Sequence, residues 1–243
     1  MERTFNIRRQ PVVTFLLLLI NVVVFMTTND NDHEILLAAV EAYDERQLLD
    51  SELPLFEAYL KSQSEGAEVW GDLESIEDPE SPQRFYLIAQ LLTDREYALY
   101  LERNSDWFTF EQLDTLKEKQ SIIETYIDQL VYLRFGFIPA EFSVLTMFSS
   151  QFLHGDMFHL IGNMVILVLV GLTVEQLLGS FNFLLFYLLS GAVASATYGL
   201  VHLGSPVTLI GASGAISGLM GMYVAAYGKR PIRFFYWIGV YFN

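Results

Sequence analysis

Three polar side chains set in apolar surroundings carry the chemistry open to this sequence: Ser213, His159 and Asn163. Ser213 stands in Gly211-Ala212-Ser213-Gly214 at the head of an apolar segment. His159 and Asn163 are four residues apart, hence on one face of a helix. A histidine and an asparagine in an apolar helix are costly unless they meet polar partners, so they are candidates for a site or for helix–helix hydrogen bonds. A serine hydroxyl can attack a carbonyl, and imidazole, amide and backbone N–H groups can hold the oxyanion that develops; the chemistry is acyl transfer. Gly211 and Gly214 would let other atoms approach the backbone there, while Gly214 and Gly218 together read equally well as a packing seam. The serine is not in an α/β-hydrolase elbow, because that pattern requires glycine at 215, where Ala215 stands. His154 and His159 are five apart with no glutamate between them, which does not fit a two-histidine zinc helix, and the chain has no cysteine. No metal and no cofactor are expected.

The elements that must position these residues are membrane spans. Of 243 residues 52% are hydrophobic, the mean hydropathy is +0.33, and the apolar residues fall into blocks, so the fold class is an all-α polytopic membrane protein. The blocks are Pro11 to Met26, Met157 to about Leu178, Phe181 to about Leu203, and Leu209 to Tyr227. The first follows Arg3, Arg8 and Arg9 but has no small-residue cleavage site after it, so it is read as a retained span with residues 1–27 as one unit. Asn21 within it is expected to make a helix–helix hydrogen bond. After Pro231 the run Ile232 to Phe242 is apolar but too short to span, and the chain is expected to be cut inside a fifth span.

Between the first two spans the composition changes. Asp30 to Glu141 holds 26 acidic and 8 basic residues, a net charge of −18, while the rest of the chain is at +3. Ile122, Ile123, Tyr126, Ile127, Leu130 and Val131 recur at helical spacing, as do Phe85, Ile88, Leu91 and Leu92 behind Ser81-Pro82, a cap and first-turn pair. Ile35 to Leu60 reads as one or two helices interrupted near Pro54, and Gly66 and the stretch from Gly71 to Pro82 read as linkers. Residues 28–140 are therefore expected to form an acidic, helical, water-facing insert, and 141–243 the membrane core. The charge of the insert suits a solvated face or a basic partner whose identity the sequence leaves open. No basic patch with interleaved aromatics occurs, so nucleic acid is not an expected partner. Lys229, Arg230 and Arg233, with the three N-terminal arginines, are all the basic residues outside the insert. An even number of spans separates the two groups, which places both in the cytoplasm and the insert outside.

Taken together, Phe-Gly-Phe-Ile-Pro-Ala at 135–140, His154 with His159 and Asn163, Val174-Glu175 ahead of Gly179, and Gly211-Ala212-Ser213-Gly214 resemble the rhomboid family of intramembrane serine proteases. The resemblance implies a six-helix membrane bundle, of which about four and a half spans are present here, with a water-filled cavity. It implies Ser213 as nucleophile, His159 and Asn163 as oxyanion donors, and His154, Glu175, Gly211 and Gly214 as structural or cavity-supporting residues. It also implies transmembrane-protein substrates in the bilayer. Separately, a short N-terminus without transit features suits a bacterial plasma membrane, and the basic clusters put that N-terminus in the cytoplasm. The family takes its general-base histidine from the sixth span, which lies beyond residue 243, so residues 1–243 alone are expected not to cleave. The alternative is a catalytically inactive rhomboid-like protein that binds transmembrane helices; a transporter lined by His159 and Asn163 would leave the serine without a task.

Overall fold

The structure, a computed structural model, describes residues 10–62 and 81–228. The two basic clusters, the apolar run after Pro231, Gly66 and the linker from Gly71 to Glu80 lie outside the described residues.

Helix α1 runs Val12–Glu45, 34 residues without a break, so the expected boundary after residue 27 falls inside a helix. The reason is local: no glycine or proline occurs between Pro11 and Pro54, and Thr27 and Thr28 return their hydroxyls to the carbonyls of Val23 and Val24 instead of capping a new element. At 1.5 Å per residue α1 is about 51 Å long, more than a bilayer core needs. Its apolar half serves the membrane and its polar half continues into the insert. The chain turns at Arg46–Leu48, where Gln47 takes φ +53°, and not at Pro54. Pro54 sits exposed inside α2 (Leu49–Ser62), where the carbonyl it leaves unpaired faces water.

The insert continues with α3 (Pro82–Thr93), α4 (Arg95–Asn104), α5 (Phe110–Thr125) and the short α6 (Val131–Phe135). Ser81, Asp94 and Thr109 cap α3, α4 and α5, and Thr109 with Gln112 closes a capping box. The apolar repeat from Ile122 to Val131 is not one helix: α5 ends at Thr125 and a 3-10 turn at Ile127–Gln129 leads into α6, which keeps Ile122, Ile127 and Leu130 buried on one side. These helices close over Tyr43, Phe56, Tyr97, Ile88 and Ile122. Among these apolar groups lies an ion pair between Lys119 and Glu52; Tyr43 Oη donates to the same carboxylate at 2.7 Å, and the Lys119 ammonium also faces the Tyr97 ring.

The membrane core contains α7 (Val144–Ser149), α8 (Met157–Leu178), α9 (Ser180–Val201) and α10 (Ser213–Tyr227). Helices α1, α8 and α9 are long and apolar enough to cross a membrane. Phe15, Leu19, Phe158, Phe181 and Val193 point outward from them, the surface a lipid-facing bundle requires. Their inner faces bury Leu17, Leu167, Val174, Phe183 and Tyr187, with Leu219 of α10, in a second apolar cluster. Among the described residues only α1 contributes to both clusters, with Leu17 and Phe25 in one and Ala39, Val40 and Tyr43 in the other. Asn21 is buried and donates to Leu17 O at 2.7 Å within its own helix, and its side chain also meets that of Tyr187 on α9, the helix–helix contact expected of it. The fourth apolar block is helical only from Ser213: Leu209 is extended and bridges antiparallel to Phe137, and Gly211 has φ +119°, which no helix accommodates.

Candidate active site

His159 is placed by the start of α8. Asp156 is its N-cap, accepting from the His159 N–H at 2.9 Å, which fixes the imidazole in the first turn. Asn163 follows one turn lower and is buried, with Nδ2 lacking a hydrogen-bond partner among the described residues. A buried amide donor without an acceptor costs roughly 1–3 kcal/mol, so the site is arranged for an acceptor to arrive.

The backbone of Gly211 closes on these two side chains. A Cβ at 211 would lie 2.7 Å from His159 Nε2 and 3.7 Å from Asn163 Nδ2, so the positive φ and the lack of a side chain are both required. The Gly211 N–H donates to Ser150 O at 2.9 Å, which holds the turn against the segment before α8. Two residues on, Ser213 is the first residue of α10, exposed, with its hydroxyl making no hydrogen bond among the described residues. The N–H groups of a first helical turn have no partners within the helix, so the backbone around Ser213 offers donors beside the His159 and Asn163 side chains.

His154 lies beside this group, its ring 5.0 Å from that of His159 and edge-on to it. It is 6% exposed, and neither ring nitrogen meets a partner at hydrogen-bond geometry. Burial, then the neighbouring His159, push its pKa down to about 4, against smaller pulls from the Phe152 carbonyl and Asp156. Gly214 and Gly218 face α9: a Cβ at 214 would meet Ala194 Cβ at 2.6 Å, and one at 218 would meet Ser190 at 2.3 Å. They are the seam that lets α10 pack against α9 closely enough to bring Ser213 into place.

Glu175 stands apart from this cluster. It is sixteen residues beyond His159 on the same helix, about 24 Å away along the axis. Its carboxylate accepts from Val13 N (2.9 Å), Thr14 N (2.7 Å), Thr14 Oγ1 (2.8 Å) and Ser180 Oγ (2.6 Å). It pins the first turn of α1 to the α8–α9 corner and touches nothing at the serine. Sequence reasoning missed Asp156 and Ser150. Asp156 had a readable signal, an aspartate directly before an apolar run, whereas Ser150 acts through its carbonyl and has none.

A helical membrane bundle that gathers a histidine, an asparagine and the N-terminus of a serine-bearing helix around one glycine is the class of protein defined here. Residues 141–242, about two fifths of the chain, match the Rhomboid domain. Among curated proteins the chain is similar to RHOMBOID-like protein 1 of Arabidopsis thaliana, at 30% identity over 95 residues, which are 39% of this chain and 24% of that protein. The match thus spans about a quarter of that relative's length. No solved structure matches the chain significantly.

Proposed function

We propose that this protein is an intramembrane serine endopeptidase that cleaves transmembrane-helix substrates by acyl transfer to Ser213. The observation that carries the reading is the position of Gly211, flush against His159 Nε2 and Asn163 Nδ2 and two residues ahead of the serine. Ser213 Oγ attacks the substrate carbonyl carbon and gives up its proton to a base; the carbonyl oxygen becomes an oxyanion held by Asn163, His159 and backbone N–H groups. Collapse breaks the C–N bond, the amine leaves with a proton, and water then releases the acyl group from the serine. The family resemblance implies a histidine as that base. Helix α10, at 15 residues, is about 22 Å long, shorter than a bilayer core, so its N-terminus sits below the membrane surface where a water-filled recess must reach it. We place the N-terminus in the cytoplasm of a plasma membrane and the acidic insert outside.

The test is labelling of the protein in its native membrane with a fluorophosphonate, which reacts only with an activated serine. Covalent modification at Ser213 that disappears in Ser213→Ala, together with serine-dependent cleavage of a transmembrane reporter, is the expected result. An unreactive Ser213 in a folded protein would move the assignment to a helix-binding protein without catalysis.

A further inference from the structure

The insert and the core enclose a cavity of about 660 Å³, which is within the range of ligand pockets. Its walls come from five segments: the polar half of α1, the α3–α4 junction, the start of α6, and the two core segments that lead to the candidate site. One core segment carries His154, five residues ahead of His159; the other ends at Ile210, next to Gly211. An extended chain advances about 3.3 Å per residue, so a peptide lying in this cavity is only a few residues from Ser213.

Negative charge prevails around the cavity among the described residues. Asp32, Asp94 and Glu96 line it, and Arg95, which lines it too, is engaged by Glu141 at 2.5 Å. Asp32 accepts from the N–H groups of Val131 (2.8 Å) and Tyr132 (3.2 Å), and Asp94 accepts from the Tyr97 N–H (2.9 Å). Those donors are uncharged, so they orient the carboxylates without cancelling them. Glu96 is exposed and has no partner among the described residues. A second observation points to a ligand independently of charge: His154, 6% exposed and lining the cavity, has both ring nitrogens without hydrogen-bond partners.

We propose that this cavity receives the water-side flank of the substrate's transmembrane segment and selects a lysine or arginine there, with His154 hydrogen-bonding the flank. The proposal rests on the protease reading for its substrate and adds a second point of recognition outside the bilayer. Such a filter discriminates well, because basic residues are depleted on the outer flanks of membrane spans, where the insert is placed. The acidic wall then binds what most spans do not present.

The test uses the 243-residue chain carrying Ser213→Ala in nanodiscs, and fluorescence anisotropy of a dye-labelled synthetic transmembrane peptide with either Lys-Lys or Glu-Glu at its water-side flank. The Lys-Lys peptide should bind at least tenfold more tightly. Glu96→Lys should bring that ratio below threefold and Glu96→Gln should lower it in part. Asp114→Lys, the same charge change at an exposed position outside the cavity, should leave it intact. Equal affinities, no binding of either peptide, or an effect of Asp114→Lys equal to that of Glu96→Lys would each overturn the proposal. Because binding is read without catalysis, a protein that fails the fluorophosphonate test can still return the affinity ratio, and the two readings fail separately.

Discussion

Ser213, Asn163 and His154 differ in what their removal should do. On the proposed mechanism, Ser213→Ala removes the attacking oxygen and should abolish cleavage of a transmembrane reporter. On the same mechanism, Asn163→Ala removes one oxyanion donor and should slow turnover by about 10²–10³-fold with KM little changed, since that donor would act on the transition state. A parallel loss of substrate binding would mean that Asn163 holds the helix rather than the oxyanion. His154 gives a pH dependence. Its pKa is about 4 in the fold against an unfolded value near 6.5, so between those two pH values the unfolded chain binds the extra proton. The stabilisation is complete above pH 6.5, is lost as pH falls toward 4, and does not change further below that. The loss should reach at most about 3 kcal/mol, and melting in detergent across this window should show a steeper decline for the parent than for His154→Gln. Equal slopes would mean that His154 is hydrated in the folded state. Ser213, His159 and Asn163 stand out in the sequence as candidates because polar residues in apolar segments need polar partners. The φ of Gly211 was not legible, because a glycine permits that conformation without announcing it.

At the scale of elements, Glu175 links α1 to the rest of the core. Four donors from three residues converge on one buried carboxylate, and hydrogen bonds to a charged group are each worth roughly 1.5–3 kcal/mol. Glu175→Gln keeps the shape but turns one acceptor into a donor facing Val13 N–H or Thr14 N–H. It should destabilise the detergent-solubilised protein by about 2 kcal/mol while leaving fluorophosphonate labelling of Ser213 intact in the molecules that remain folded, because the two sites are about 24 Å apart. A loss of labelling without a loss of stability would instead give Glu175 a part at the site. The apolar periodicity predicted α8 and α9 closely. It misjudged α1 and α10 for opposite reasons. The end of an apolar block at Met26 marks where the solvent changes and not where the helix stops, since nothing in Thr27 to Asp44 breaks a helix. The start of an apolar block at Leu209 similarly marks burial and not helix, because Leu209 and Ile210 are held extended by the Phe137 bridge and the Gly211 turn.

The molecule as a whole has two apolar cores in different solvents, joined by one helix, and this sets what each part should do alone. The insert core is closed by side chains of the insert itself, including Tyr43, Phe56, Tyr97 and Ile122, and the buried Lys119–Glu52 ion pair is internal to it. A fragment of residues 28–141 should therefore fold in water as a helical unit with a cooperative thermal transition. The Lys119–Glu52 pair decides how firmly. Burial pushes the Lys119 ammonium pKa down and the Glu52 carboxylate pulls it back up, the balance expected when a charge is tolerated only because its partner is present. Lys119→Met alone strands Glu52 among apolar groups and should cost about 3–5 kcal/mol in the fragment. Adding Glu52→Gln should restore most of that, since the Tyr43 hydroxyl can still donate to the amide oxygen and no charge remains buried. Denaturant unfolding of the fragment and its three variants measures the cycle. Non-additivity below about 1 kcal/mol would show that the pair is hydrated in solution, and a fragment without helical circular dichroism would show that the membrane core is needed to hold the insert together.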